Sequence, residues 1–356
     1  MDNCGRYSLR STRERSFFIG SNTGDGFRLS PDRDLDEENN DRVIIIKGGP
    51  GTGKSTLMKE FSSRAERAGY SVTEYLCSSD PASLDAVRIC TGGRTVLVCD
   101  GTSPHVTEMK YPGAVSSVFD LSTFWNVKML ILQREKIVEL SAKKRECFER
   151  AASLLRAARE TENLARSVGI SALDTKKLAG FAQRCAAKIK RDFGTGRPVI
   201  TSALSMNGAV TLDTHISEAD EVVFVEDYFG VSGAVLEFIS AALSDRGVSH
   251  EVSLVPEDHT RIEALYINGI KRLYTAAVHV SGAKHLNCAR FVNAEAKAHR
   301  ALFRFSEKCS GTLISSALDN LAEAKNYHFE LERIYSQTMD FDAVSRLASK
   351  KLYSLL

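Results

Sequence analysis

At 356 residues the chain is long enough for about two domains of roughly 100–200 residues each. Hydrophobic residues make up 43% and charged ones 26%, and a net charge of +2 gives no strong field to attract nucleic acid or an anionic membrane. No apolar run approaches the ~18 residues that span a bilayer, and no pair of the eight cysteines has the CxxC spacing of a zinc site.

A reduced, cytoplasmic protein is therefore expected, with its cysteines as small core residues. Residues 1–15, MDNCGRYSLRSTRER, are basic and polar and lack the apolar core of a secretory signal. They read as a flexible basic arm.

Residues 43–61, VIIIKGGPGTGKSTLMKEF, predict a buried strand, a glycine-rich loop and a helix, in that order. The loop matches GxxxxGK[ST] from Gly48 through Gly49, Pro50, Gly51, Thr52 and Gly53 to Lys54 and Ser55. Its glycines permit a tight turn, so that successive amides face phosphate at a helix N-terminus. Lys54 is expected to reach the β- and γ-phosphates, the Ser55 hydroxyl to ligate Mg²⁺, and Thr56 to make a secondary phosphate contact.

The strand TVLVCD (95–100) ends in Asp100, a carboxylate placed to hold the Mg²⁺ shell. Gly101 follows, where many ATPases have a water-activating glutamate. Other groups are candidates for that role. Asp80, after the strand SVTEYLC (71–77), is either a base that activates an acceptor or the N-cap of a helix begun by PASLDAV. Thr102, Ser103 and His105 follow Asp100 and either contact the γ-phosphate or form a solvated turn. Glu108 is a further possible base.

The chain also repeats itself. Aligning IKGGPGTGKSTLMKEF with VEDYFGVSGAVLEFI sets Gly51 on Gly230, an offset of 179. Downstream, Asp80 meets Asp258, Asp85 meets Glu263 and Ile89 meets Ile267; upstream, Gly26 meets Gly208. In the second copy Ser232, Gly233 and Ala234 replace Gly53, Lys54 and Ser55, and Asp100 falls on about Val278. Glu226 and Asp227 put negative charge at that loop, which opposes a polyphosphate.

Ile137, Leu140, Cys147, Ala151, Leu154, Ala158, Ala165 and Val168 form an apolar stripe interrupted by Lys144 and Thr161, the mark of a long helix packed on another. The stripe recurs: Ala151, Leu155, Ala158, Ala165 and Val168 fall on Ala317, Leu321, Ala324, Leu331 and Ile334. The expected fold is α/β: two tandem P-loop-like cores with parallel-rich sheets, each followed by a long helical hairpin. The first domain would span 16–195, with its hairpin at about 130–190. The second, degenerate domain would span 196–356, with its hairpin at about 295–356. The Gly/Pro-rich RDFGTGRP (191–198) marks the boundary.

The segments FFIGSNTGDGF, IIIKGGPGTGKSTLMKEF, YLCSSDPASLDAV and CDGTSPHVTEMKYPGAV together resemble an uncharacterised bacterial family of tandem P-loop ATPases, described as nucleotide-kinase-like. The resemblance covers much of residues 16–120 and weakens beyond. It implies ATP as the nucleotide. Members of that family keep a phosphate loop in the second half as well, and this sequence departs from them there.

Three activities stay open: a Mg²⁺-dependent ATPase with one active site in the N-terminal half, a small-molecule or nucleotide kinase with Asp80 as base, and a non-hydrolysing nucleotide sensor. The hairpins would pack against each other within the chain or meet a protein partner or a second copy.

Overall fold

The computed structural model describes residues 15–104 and 108–356. The basic arm lies outside the described residues except for Arg15, which opens the first strand and is fixed by ion pairs to Glu218 and Glu251 (2.9 and 2.8 Å). Arg15 thus belongs to the first strand.

The first half runs β1 (Arg15–Phe18), β2 (Gly20–Thr23), β3 (Gly26–Leu29), β4 (Arg42–Lys47), α1 (Lys54–Arg67), β5 (Ser71–Leu76), β6 (Leu84–Thr91), β7 (Arg94–Asp100) and β8 (Ser116–Asp120). The helices α2 (Val127–Leu132), α3 (Arg134–Ser171) and α4 (Thr175–Ala187) follow. The second half repeats this as β9 (Gly196–Val199), β10 (Ser202–Ser205), β11 (Gly208–Thr211), α5 (Thr214–Glu218), β12 (Glu221–Glu226), α6 (Ser232–Arg246), β13 (His250–Val255), β14 (Asp258–Ile267), β15 (Arg272–Thr275), β16 (Lys284–Asn287), α7 (Arg300–Ser336) and α8 (Phe341–Lys351).

The two six-stranded sheets have the same order, β1-β5-β6-β7-β4-β8 and β9-β13-β14-β15-β12-β16. In each, three neighbouring pairs are parallel and two antiparallel. β4 lies between β7 and β8, and its residues Val43 to Ile46 are buried, as a run of branched apolar residues in a covered strand requires. Leu57, Met58, Phe61 and Ala65 put one face of α1 onto that sheet.

The sequence misplaces one element. PASLDAV starts no helix; Leu84–Thr91 is the extended strand β6, hydrogen-bonded on both sides to β5 and β7. Pairing along both edges, with Val87 and Ile89 buried, overrides the Asp-Pro helix-start signal.

The register also sharpens the repeat. β4 pairs with β7 through Arg42–Val96 and Ile46–Asp100, while β12 pairs with β15 through Glu221–Arg272 and Phe224–Thr275. The counterpart of Asp100 is thus Ala276, two residues before Val278.

The hairpins are exchanged. α3 and α7 run antiparallel, with Lys136 near Glu330 (3.5 Å), Arg150 bonded to Asn320 (2.8 Å) and Ser306 bonded to the Thr161 carbonyl (2.6 Å). Ala151 and Leu155 meet Ala317 and Leu321 in their seam; Leu154 sits at its margin, so Leu155 takes the central place. Beyond the seam, α8 of the second half buries Val344 and Ala348 against Ile46, Met58 and Phe61 of the first sheet's core. α4 of the first half buries Leu178, Ala182 and Ala186 against Val225, Leu236 and Leu265 of the second. Each short helix closes the core of the opposite half.

The halves also meet at their sheet edges. Phe18 N–H donates to Ile200 O (2.8 Å), and Arg197 pairs with Asp32 and Asp34 (2.6 and 2.8 Å). No helix among the described residues is long and apolar enough to cross a membrane.

Candidate functional site

Parallel strands β4 and β7 deliver Lys47 and Asp100 to one end of the first sheet, where the 48–55 loop turns into α1. This crevice beyond the carboxyl ends of parallel strands is where open α/β sheets place ligands. Gly51 and Gly53 have φ of 66° and 85°, which permit the loop to turn back over the strand. Gly53 caps α1 without a side-chain hydrogen bond, whereas Asn126, Asp174 and Asp340 each cap their helices with one.

Lys54 Nζ folds over the loop. It donates to Gly48 O (3.0 Å) and Gly49 O (2.7 Å) and lies 3.5 Å from the Asp100 carboxylate. Thr52 Oγ1 donates to Gly49 O (2.8 Å), bracing the turn that contains Pro50. Thr102 gives its amide to Asp100 (2.7 Å) and its hydroxyl to Gly48 O (2.7 Å), so it ties the two strand ends together. The Ser55 hydroxyl accepts the Leu84 amide (2.9 Å), and Thr56 is exposed. Lys47 Nζ donates to the Gly101 carbonyl beside them.

Burial pushes the Asp100 carboxyl up; Lys54 and the Thr102 hydrogen bonds pull it down, and the Asp85 carboxylate raises it again. Asp85 is the second acid of the site. Ala86 pairs with Cys99 across β6 and β7, which sets Asp85 opposite Asp100. The sequence conceals this neighbour because residues 81–87 read as a helix start. In the repeat, Glu263 occupies the same place opposite Ala276, whose amide bonds its carbonyl (2.8 Å).

Asp80 turns its carboxylate onto its own loop, accepting the Ser83 hydroxyl (2.9 Å) and the Ala82 amide (3.4 Å). Ser103 and Glu108 are exposed, and His105 lies outside the described residues.

Two groups from the long helices reach the loop. Lys144, the polar break in the α3 stripe, is held below its usual value by burial and feels the Lys54 charge. Glu332 on α7 is held low by His328 (3.5 Å), by Lys54 and by the Gly51 amide. A Cβ on Gly51 would lie 2.4 Å from Glu332 O, so the loop touches the α7 backbone. An apolar stripe broken by a lysine was the available signal for Lys144; nothing local marks Glu332.

The second loop is differently filled. Asp227, in the place of Gly48, accepts the amides of Gly230 (2.8 Å) and Ser232 (2.7 Å). A side-chain carboxylate thus occupies amides that a phosphate loop leaves for its ligand. Gly230 keeps the positive φ of Gly51, at 70°. Gly233 and Ala234 are buried, and a Cβ on Gly233 would come within 3.3 Å of Ile262 O, leaving little space for a lysine.

For Mg²⁺, the Ser55 hydroxyl and Asp100 carboxylate are hard oxygen donors of the right kind. Mg²⁺ in nucleotide sites takes one or two protein oxygens and completes its shell with phosphate and water. Comparison with protein-family models, curated proteins and solved structures returns no match.

Proposed function

We propose that this chain is a Mg²⁺-dependent P-loop ATPase of the tandem family it resembles, cytoplasmic, with one active site in its N-terminal half and a non-catalytic C-terminal copy. The observation that carries the reading is the Lys54–Asp100 pair at 3.5 Å. It stands at the ends of adjacent parallel strands, beside a glycine loop whose helix has no side-chain cap.

In this reading the loop amides and Lys54, released from the Gly48 and Gly49 carbonyls, hold the phosphates. Ser55 and Asp100 would hold Mg²⁺, whose charge would stabilise the γ-phosphoryl oxygens. Asp85 raises the basicity of Asp100. Lys144 adds positive charge on the same side. No disulfide joins any of the seven described cysteines, which suits a reducing compartment.

Hydrolysis coupled to movement of the hairpins is favoured over phosphoryl transfer to a small acceptor. Asp80, the base that transfer would need, is engaged in its own turn. The loop instead touches α7 of the other half at Gly51 and Tyr335 at Gly49.

Phosphate release from Mg·ATP is the test. Lys54→Ala is expected to reduce turnover on the order of 100-fold or more, the usual loss when a fixed donor to a developing charge is removed. A variant that binds and hydrolyses ATP as well as the parent would overturn the assignment.

A further inference from the structure

The flank of the 48–55 loop carries a joint between the two halves. Asn126 N–H donates to Thr338 O (2.8 Å), Asp340 N–H donates to Phe124 O (3.1 Å), and Trp125 faces Met339 as an isolated bridge. Beside this joint lies a cavity of about 780 Å³, lined by residues 123–126 and 337–342. That volume falls among small-molecule sites, which run about 300–1,000 Å³.

The cavity is continuous with the loop through two aromatic rings. The Trp125 ring would lie 3.3 Å from a Cβ on Gly49, and the Phe341 ring 3.4 Å from one on Gly53. Both residues also line the cavity, with Asp340 and Asp342 among its polar groups. Polyphosphate belongs with Lys54 and not with these carboxylates. A neutral heterocycle suits the aromatic faces. Ribose hydroxyls can donate to the carboxylates.

The repeat supplies an internal control. The same joint exists beside the degenerate loop: Asp174 N–H donates to Phe291 O (2.7 Å), Asn293 N–H donates to Ala172 O (2.8 Å), and Leu173 faces Val292. There Val292 stands in the place of Trp125, and Thr175, which opens α4, in the place of Phe341. The joint closes with no aromatic residue at either of these two positions, although Phe291 lends it a carbonyl and Tyr228 and Phe229 pack beside Val292, so the backbone pairing does not demand an aromatic at those places. At these two positions the aromatic residues stand beside the loop that keeps its lysine and serine, whereas the degenerate loop carries its own, Tyr228 and Phe229, within the loop itself.

We propose that this cavity receives the nucleoside of a nucleoside triphosphate, its base against Trp125 and Phe341, while the phosphates lie on the 48–55 loop. The proposal rests on the phosphate-binding reading of that loop. It makes the site composite: phosphates are held by the N-terminal half, and the nucleoside is shared with the α7–α8 turn of the C-terminal half.

Comparing Mg·ATP with Mg·tripolyphosphate separates the two parts. Trp125 is the only tryptophan, so its fluorescence reports the cavity directly, and calorimetry gives the affinities. ATP is expected to change the emission strongly and tripolyphosphate to leave it nearly unchanged.

Trp125→Val and Phe341→Thr, which install the residues of the degenerate half, should each weaken ATP on the order of tenfold, the usual scale for one lost base–aromatic contact. Tripolyphosphate should stay within about twofold, which also reports a folded loop. Trp125→Phe, which keeps an aromatic face, should retain most of the ATP affinity. Lys54→Ala should weaken both ligands. ATP affinity unchanged in the cavity variants, or both ligands lost together in them, would overturn the proposal. A parent protein that binds neither ligand would sink the phosphate-loop reading itself, and the cavity assignment with it.

Discussion

Replacing Gly51 by alanine should destabilise the protein more than the same change at Gly53 or Gly69, although all three have a positive φ. Their φ values are 66°, 85° and 81°. An L-residue in that region costs about 1–2 kcal/mol, and all three variants share that term. Their surroundings differ. A Cβ on Gly69 meets nothing within 4 Å, and one on Gly53 only reaches the Phe341 ring at 3.4 Å. At Gly51 it would lie 2.4 Å from the Glu332 carbonyl oxygen and 2.9 Å from its Cα. Those atoms belong to the α7 backbone and cannot swing aside as a side-chain end can. Relieving the clash means lifting α7 from the loop, an overpacking cost of about 1–3 kcal/mol more. Gly51→Ala should therefore lose roughly 2–5 kcal/mol in all, against about 1–2 for Gly69→Ala. Urea unfolding followed by circular dichroism and by Trp125 emission gives both values, provided the slope is unchanged. A Gly51→Ala loss within about 0.5 kcal/mol of the Gly69→Ala loss would refute the docking of α7 on the loop.

Other expectations follow from the charges. Removing the Asp85 charge takes away an influence that raises Asp100, so Asp85→Asn should let Asp100 stay ionised to lower pH. The acid limb of the Mg·ATP turnover profile then moves to lower pH, and a shift the other way would contradict the pairing. Burial pushes the Glu263 carboxyl from 4.5 up to about 7, against hydrogen bonds from Ser202, Ser253 and Thr201. Between those values the unfolded chain gives up a proton that the folded one keeps, so stability falls as pH rises through that window and levels off above it. Glu263→Gln should flatten this fall, by at most roughly 3 kcal/mol at 1.36 per unit, in unfolding measured at pH 4.5 and 8. Glu251 is buried between Arg15, Arg197 and His215 and is held well below the usual carboxylate range mainly by Arg15, despite its desolvation. Glu251→Ala leaves the two guanidinium groups facing each other across the join of the halves and should cost about 3–5 kcal/mol of stability by denaturant titration.

The sequence by itself determined what depends on near neighbours in the chain. The strand, loop and helix around residues 43–61 are legible because burial, φ freedom and helix polarity act within about twenty residues. The repeat was legible too, since Gly26 with Gly208 and Gly51 with Gly230 share positive φ at matched turns. The departure of the second loop from the first could be read from Gly233 and Ala234, and in part from Asp227. Tertiary structure decided everything that rests on distant pairing. β6 is a strand because both its edges are taken, not because of its own residues. Only that antiparallel pairing sets Asp85 opposite Asp100. The exchange of hairpins carries no local signal, because α4 and α8 bury the same kind of small apolar face that either core would accept. Through that exchange Glu332 and Phe341 of the second half stand over a loop of the first, more than 275 residues away in sequence.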